Sequence, residues 1–197
     1  MKKIILASKS PRRKEILENA DVTFEIVVSD ADESVIPKSI RPELYVSELA
    51  LLKATSVAGQ INGNYYVIGS DTIVEYDGEF LGKPKSEDEA FDIIKSLSGN
   101  EHRVYSGICV FDTKTGRAET DYECTKVYFK ELSDLDIRQY VRSDEPYDKA
   151  GGYAIQGASG AFVDRIDGDY NNVVGLPLDK LSKLFKDKFD YDLITKK

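Results

Sequence analysis

A group of hydroxyl and cationic side chains near the N-terminus could bind phosphate. Ile4 to Leu6 is an apolar run typical of a buried strand, and Ser10, followed by a proline, is typical of the start of a helix. Arg12 and Arg13 fall in the first turn of that helix, where the helix dipole normally favours acidic residues. Free backbone N–H groups, the hydroxyls of Ser8 and Ser10 and the two guanidinium groups can together bind phosphate oxygens. A solvated basic turn is the competing interpretation, and this stretch alone favours neither.

Carboxylates and lysines elsewhere in the chain extend this chemistry. Asp71 lies between two extended apolar runs, where a carboxylate either forms a turn or stands at a sheet edge beside a ligand. Glu33 ends the acidic loop 29–33, which is either solvated or a source of metal or water ligands. Lys53, on the apolar face of an amphipathic helix, either extends its ammonium group to water or reaches a phosphate. Lys83 lies in a rigid Gly-Lys-Pro loop.

The composition excludes several kinds of chemistry. With 197 residues the chain fits one large domain, or one domain with two lobes. The formal net charge of -8 disfavours a nucleic-acid polymer as partner, because a polyanion would be repelled. His102 is the only histidine, so a His-rich zinc site is excluded and a Ser-His-Asp triad would need this residue. In an enzyme we therefore expect carboxylates and an oxygen-preferring cation to carry the acid–base chemistry.

The sequence shows no targeting or membrane-spanning pattern. Lys2 and Lys3 are followed by too few apolar residues for a signal peptide, and no apolar run reaches the length of a membrane span. Cys109 and Cys124 lie in strand-like segments outside any C-x-x-C spacing, which favours reduced cysteines. We therefore expect a cytoplasmic protein with no membrane partner.

Short strands and amphipathic helices alternate around these residues. Helices are predicted over about 12–20, 42–59 and 86–97, after Ser133 and after Leu178, and strands over about 22–28, 65–69, 103–112 and 118–130. The strand that begins at Tyr65 is expected to end before Asp71. The segment from Asp144 to Leu178 is predicted to be a loop system whose many glycine and polar residues, Gln156 among them, suggest ligand contact.

Taken together, these segments resemble the Maf family of nucleoside triphosphate pyrophosphatases. The motifs that carry the resemblance are Leu6-Ala7-Ser8-x-Ser10-Pro11-Arg12-Arg13, Gly69-x-Asp71-Thr72, Leu81-Gly82-Lys83-Pro84, Leu97-Ser98-Gly99-x-x-His102-x-Val104, Asp148-Lys149-Ala150-Gly151-x-Tyr153-x-Ile155-Gln156-Gly157 and Asn172-Val173-Val174-Gly175-Leu176-Pro177. They follow the family order and span almost the whole chain. The resemblance implies an α/β fold, in which a long mixed β-sheet is flanked by helices and two lobes enclose a central cleft, within a single domain over 1–197.

The resemblance also implies a reaction and residue roles. The reaction is hydrolysis of a nucleoside triphosphate to the monophosphate and pyrophosphate, and the motifs around Thr72 and Gln156 look like the subgroup that acts on dTTP and UTP. By position, Asp71 matches the proton acceptor; Arg12, Thr72 and Gln156 match specificity positions; Ser8, Arg13, Lys53 and Lys83 match phosphate-binding positions; and Glu33 is placed near the metal. The chemistry of the two carboxylates adds that Asp71 and Glu33 could hold the metal together. A nucleoside triphosphate substrate and a homodimer are implied by the resemblance, and an all-oxygen site of this kind suits a magnesium or manganese ion.

Two other functions stay open at this point. The protein is alternatively a nucleotide-binding regulator of septum formation or cell division that does not cleave its ligand. It is otherwise a pyrophosphatase that prefers a modified or purine nucleotide. A comparison of kcat/KM over a panel of nucleoside triphosphates separates these alternatives.

Overall fold

The computed structural model describes residues 2–194, in which strands and helices alternate along the chain. The strands are β1 (Lys3–Leu6), β2 (Phe24–Ile26), β3 (Tyr65–Tyr76), β4 (Glu79–Leu81), β5 (Glu101–Asp112), β6 (Ala118–Phe129) and β7 (Val163–Asp167). The α-helices are α1 (Pro11–Asn19), α2 (Pro42–Gln60), α3 (Glu87–Leu97), α4 (Asp134–Val141), α5 (Tyr170–Val174) and α6 (Leu178–Phe189). Short 3-10 helices cover Glu33–Val35, Pro146–Asp148, Ala150–Gly152 and Ala158–Phe162. Within residues 2–194, no helix is long and apolar enough to span a bilayer.

The strands form a mixed sheet with the order β2-β1-β3-β5-β6-β7, and β4 pairs with β3. Strand β1 is parallel to β2 and to β3, whereas β4 is antiparallel to β3 and β7 is antiparallel to β6. This confirms the predicted long mixed sheet with helices.

The chain divides into two compact units. The first unit contains the described residues up to Asp71, together with Ser106–Glu123 and the described residues from Gly175 onward. The second unit contains Thr72–Tyr105 and Cys124–Val174. Strands β3, β5 and β6 contribute residues to both units, so a single strand carries Asp71 in one unit and Thr72 in the other.

Helix α2 lies unusually close to the sheet in the first unit. A Cβ atom at Gly69 of β3 would lie 2.0 Å from the Ala50 carbonyl oxygen, and one at Gly107 of β5 would lie 2.1 Å from the Val46 carbonyl oxygen. Both distances are far below any van der Waals contact, so only glycine permits this approach. The two glycines therefore let the backbone of α2 pack directly on β3 and β5.

Apolar side chains of α2 and the strands complete the core of the first unit. Its buried members are Ile5, Ala7, Ala50, Ala54, Val57, Val67 and Cys109. On α6, Phe185 and Phe189 make edge contacts with the ring of Tyr66, each at a centroid distance of 5.3 Å. Neither Cys109 nor Cys124 forms a disulfide within the described residues, in agreement with the reduced cysteines predicted from the sequence.

The second unit is built around helices α3 and α4. Ser86 and Ser133 cap these helices by accepting the N–H groups of Glu89 and Asp136, both at 3.2 Å. The Glu89 carboxylate reaches back to accept the N–H of Lys85 at 2.8 Å. Its core contains Val74, Ala90, Ile94, Leu97, Val104, Val127, Phe129, Ile137, Tyr140, Val141 and Tyr153.

The structure corrects the sequence prediction in two segments. Strand β3 does not end before Asp71 but continues through it, because the polar side chains at this point have partners. The Ser70 hydroxyl donates to the Gly175 carbonyl oxygen at 3.4 Å, and Lys53 pairs with the Asp71 carboxylate. The segment 144–178, predicted to be a loop system, also contains β7 and α5.

Candidate active site

The turn before α1 has the predicted cap and a network of hydroxyl contacts. The Ser10 hydroxyl accepts the N–H of Arg13 at 3.5 Å, which confirms Ser10 as the N-cap. The Ser8 hydroxyl accepts the N–H of Ser10 at 3.2 Å and the Nη1 group of Arg13 at 3.3 Å. Ser8 is buried, and its two contacts link the loop to the first turn of the helix.

Arg13 points into the protein rather than into open solvent. Its Nε donates to the Gly175 carbonyl oxygen at 2.7 Å. Burial lowers the pKa of Arg13 from its ordinary value, while the negative charges of Asp71 and Glu33 act in the opposite direction. The positive charge of Arg12 adds to the lowering, and the Arg12 side chain is itself partly buried. The two cationic groups of the opening turn are therefore within electrostatic reach of the carboxylates.

Lys53 on α2 joins two of the predicted carboxylates. Its Nζ lies 2.5 Å from Asp71 Oδ1 and 2.9 Å from Glu33 Oε1. The side chains of Lys53 and Asp71 are 13% and 14% exposed, whereas that of Glu33 is 53% exposed. Lys53 therefore does not extend to water, and its charge is shared between a largely buried carboxylate and a solvated one.

Tyr45 is a member of this site that the sequence analysis did not identify. It is a buried residue of α2, and its pKa is raised by burial first and then by the charges of Asp71 and Glu33. In the sequence, Tyr45 falls on the apolar face of a predicted helix, where an aromatic residue cannot be told from an ordinary core residue. The sequence does place Tyr45 two helical turns before Lys53, and this spacing could have indicated that the two residues share a helix face.

The first unit thus brings together most of the predicted phosphate and metal residues. Ser8, Arg13, Lys53, Asp71 and Glu33 are linked by hydrogen bonds, ion pairs or mutual charge effects. Within residues 2–194, no group of three or more metal-binding side chains occurs. Asp71 and Glu33, which Lys53 brings together, could hold a divalent ion that takes its other ligands from water and substrate phosphates, as magnesium commonly does.

The second unit holds Thr72, Lys83 and Gln156. Thr72 is partly buried and directly follows Asp71 in β3, whereas Lys83 is exposed in the loop after β4. The Gly82 carbonyl oxygen in that loop accepts the N–H of Gly151 at 3.0 Å. Gln156 is exposed and lies a few residues further along the same Gly-rich segment. The structure therefore ties the Lys83 loop to the segment that leads to Gln156.

His102 lies in an aromatic cluster and has no geometry for a catalytic triad. It is 2% exposed, its Nε2 lies 2.6 Å from the Tyr153 hydroxyl, and Phe129 packs edge-on against its ring. Burial lowers the pKa of His102 to about 4, so the imidazole is neutral at physiological pH. Its role in the fold is therefore structural.

The mixed sheet, the clustered cations and the carboxylate pair define an α/β protein suited to a polyanionic ligand. The profile of the Maf family, described as Maf-like protein, matches residues 3–188. The chain belongs to the Maf family.

Relatives over nearly the full length support this membership. A protein of Alkaliphilus oremlandii named dTTP/UTP pyrophosphatase is 48% identical over 98% of this chain and 100% of its own length. A protein of Clostridium novyi with the same name is 52% identical over 94% of this chain and 97% of its own length. Among solved structures, a HAM1 protein from Coxiella burnetii aligns with a TM-score of 0.51 at 14% identity, covering 95% of this chain and 100% of that one. That similarity supports the fold alone.

Proposed function

We propose that this protein hydrolyses dTTP and UTP to the nucleoside monophosphate and pyrophosphate. The observation that carries the proposal is the Lys53 ammonium group between Asp71 and Glu33, within charge range of Arg13. Relatives about half identical over nearly the full chain are named dTTP/UTP pyrophosphatases. The residue arrangement and the relatives point to the same chemistry.

The cationic side chains would hold the triphosphate. A triphosphate carries several negative charges and would be repelled by a protein of net charge -8 unless local cations offset the field. Arg12, Arg13 and Lys53 supply three such charges in the first unit, and Lys83 supplies another from its exposed loop. The Ser8 hydroxyl, which already orients Arg13, can also donate to a phosphate oxygen.

Asp71 is the proposed proton acceptor. Its carboxylate takes one proton from the attacking water as the new P–O bond forms, and the electron pair of the broken P–O bond leaves with pyrophosphate. Lys53 fixes one oxygen of the Asp71 carboxylate, so the other oxygen can be oriented for the water. The arrangement needs no nucleophilic side chain, because positioning and charge stabilisation supply most of the catalysis.

A magnesium or manganese ion would bind at Asp71 and Glu33. The two carboxylates already hold one cation, the Lys53 ammonium group, between them. Such an ion, when bound, would neutralise developing charge on the phosphate oxygens. Chelation with EDTA should abolish hydrolysis and added Mg²⁺ should restore it; activity unaffected by exhaustive chelation would exclude the metal from the proposal.

Base selection is assigned to Gln156, together with Thr72 and Arg12. The Gln156 amide carries both a donor and an acceptor, which matches the O4 and N3–H groups of thymine and uracil. A site that hydrogen-bonds the base edge rejects a base of different donor pattern strongly, because its own polar groups would be left unpaired. We therefore expect little hydrolysis of ATP.

The decisive experiment compares Asp71→Asn with a matched change of another aspartate. Asp71→Asn should lower kcat for dTTP by about 100-fold or more while KM changes only a few-fold, because the proton acceptor is lost and the cations remain. Asp77→Asn is the control: Asp77 is exposed in the turn after β3 at φ 51, a conformation that Asn tolerates well. Full activity of Asp71→Asn would remove Asp71 from the mechanism.

Thermal-shift and hydrolysis measurements over a panel of nucleoside triphosphates separate the alternative functions. A regulator that does not cleave its ligand would be stabilised by dTTP in a thermal-shift measurement and would give no pyrophosphate with any divalent metal. A purine or modified-base enzyme would show a higher kcat/KM for that nucleotide than for dTTP. The homodimer implied by the family resemblance and the cytoplasmic location expected from the sequence stay predictions, and light scattering tests the first of them.

A further inference from the structure

One carboxylate in the second unit organises the segment that presents Gln156. The carboxylate is that of Glu145, and its two Oε atoms accept all of the hydrogen bonds concerned. Oε2 accepts the N–H of Ala158 at 3.2 Å, and Oε1 accepts both the N–H of Ser159 at 3.3 Å and its hydroxyl at 2.8 Å. Glu145 is partly buried, so these charge-assisted bonds are only partly screened by solvent.

Ser159 extends this anchor to the other side of Gln156. Its buried hydroxyl accepts the N–H of Ala154 at 3.0 Å. Gln156 thus lies between Ala154, which is bonded to Ser159, and Ala158, which is bonded to Glu145. Both ends of the short segment are therefore fixed to the same pair of side chains.

The backbone beside Gln156 also packs directly on the Glu145 carboxylate. Gly157 has a φ of +154, and a Cβ atom built there would lie 2.5 Å from Glu145 Oε1. A side chain at this position would displace the carboxylate and strain the backbone. Glycine at 157 therefore leaves room for the Glu145 carboxylate against the backbone.

The 3-10 helix Ala158–Phe162 explains why a carboxylate is needed here. Its N-cap residue is Gly157, which has no side chain to accept the first N–H groups. Glu145 supplies the missing acceptor from 13 residues earlier in the chain. Glu145 is itself held in place, because Lys149 Nζ donates to its carbonyl oxygen at 2.5 Å and its N–H donates to the Ser143 hydroxyl at 3.3 Å.

We propose that Glu145 is a positioning residue for selection of the nucleobase. It fixes the backbone from Ala154 to Ser159, so that the Gln156 amide is presented in a single orientation. The inference rests on the proposed function, in which Gln156 contacts the pyrimidine edge. Loss of the Glu145 carboxylate would release the segment, and Gln156 would then discriminate poorly between bases of different donor pattern.

The test compares Glu145→Ala, Glu145→Gln and the control Asp144→Ala. The control removes an exposed carboxylate one residue earlier. Glu145→Ala should lower the ratio of kcat/KM for dTTP over dCTP by about tenfold, mainly through a higher KM for dTTP. Glu145→Gln keeps one acceptor oxygen and should recover part of the ratio, whereas Asp144→Ala should leave it unchanged.

Glu145→Ala removes the acceptor of the Ala158 and Ser159 N–H groups, but it does not leave the buried Ser159 hydroxyl unpaired, so we expect the variant to fold. The Ser159 hydroxyl has a second acceptor, the Ala154 carbonyl oxygen, at 3.0 Å. If Glu145→Ala nevertheless fails to fold, Glu145→Gln alone carries the test. Its ratio should then fall below that of the wild type while the ratio of Asp144→Ala does not.

Hydrogen exchange supplies a readout that does not depend on hydrolysis. Amides of residues 154–159 should exchange at least several-fold faster in Glu145→Ala, and those of the buried strand residue Val104 should not change. Unchanged exchange at 154–159, or faster exchange with an unchanged dTTP/dCTP ratio, overturns the inference. Wild-type protein that cleaves neither dTTP nor UTP refutes the proposed function instead, and this result is obtained before any variant is compared.

Discussion

Replacing Lys53 by methionine should destabilise the protein by about 3 kcal/mol, because it leaves the Asp71 carboxylate largely buried without its cation. The Nζ to Oδ1 distance of 2.5 Å and the Nζ to Glu33 distance of 2.9 Å correspond to gross attractions of about 6 to 7 kcal/mol each at an effective dielectric constant of about 20. Desolvation offsets most of each attraction. The side chains of Lys53 and Asp71 are only 13% and 14% exposed, so we treat their ion pair as a buried one. Methionine keeps most of the length and apolar contact of lysine, so the change reports chiefly the lost charge.

A double-mutant cycle isolates this interaction from other effects. Asp71→Asn removes the carboxylate but leaves Lys53 paired with Glu33, so it should destabilise less than Lys53→Met does. The double variant Lys53→Met/Asp71→Asn should be more stable than Lys53→Met alone, since the uncompensated carboxylate is gone. We expect a coupling free energy of about 2 kcal/mol. Glu33→Gln is the matched control: its carboxylate is 53% exposed, so its pairing should contribute less than about 1 kcal/mol and should weaken further with added salt.

Urea unfolding followed by circular dichroism measures these free energies. For a chain of this size, a slope of about 2 kcal/mol per molar urea converts 3 kcal/mol into a midpoint lowered by about 1.5 M. The cycle should be measured at pH 7 in low salt, with the control repeated in high salt. If the losses in unfolding free energy of the two single variants sum to the loss of the double variant, Lys53 and Asp71 are not paired in solution. The central contact of the proposed site is then wrong.

Three further changes test other parts of the structure. The pKa of His102 is lowered from 6.5 to about 4, so between these pH values the unfolded chain binds a proton that the folded chain does not. The free energy of unfolding should therefore fall by up to about 3 kcal/mol as the pH drops from 6.5 to about 4. Urea titrations of His102→Phe should show a shallower fall. Gly69→Ala should destabilise by more than about 3 kcal/mol because its Cβ meets the backbone of α2, whereas Gly59→Ala, with nothing within 4 Å, should raise the stability by about 0.5 kcal/mol. Arg13→Lys keeps the charge but loses the planar group that bonds Ser8 and the Gly175 carbonyl, so KM for dTTP should rise about tenfold in steady-state assays.

Each of these expectations has a result that contradicts it. Parallel pH profiles for the wild type and His102→Phe would show that the histidine does not titrate across the transition. Equal thermal stabilities of Gly69→Ala and Gly59→Ala would contradict the close approach of α2. An unchanged KM in Arg13→Lys would mean that charge alone, and not the fixed guanidinium geometry, serves the substrate.

Local features of the fold were predictable because their causes are short-range. Ser10, Ser86 and Ser133 each cap a helix through an N–H group three residues later, and the sequence predicts a helix beginning near each of them. The course of β3 was not predictable in the same way. Its polar residues are tolerated only because Lys53 and the Gly175 carbonyl, both distant in sequence, meet them in the folded chain.

The candidate site depends on packing as much as on its charged residues. Lys53 and Asp71 are 18 positions apart, and their separate identification says nothing about whether they meet. They meet because Gly69 lets the Ala50 carbonyl of α2 approach β3, one helical turn before Lys53 and two residues before Asp71. A larger residue at position 69 would move the helix and the ammonium group together. In the sequence Gly69 is only one member of a motif, yet its missing side chain is what brings the cation to the proposed proton acceptor.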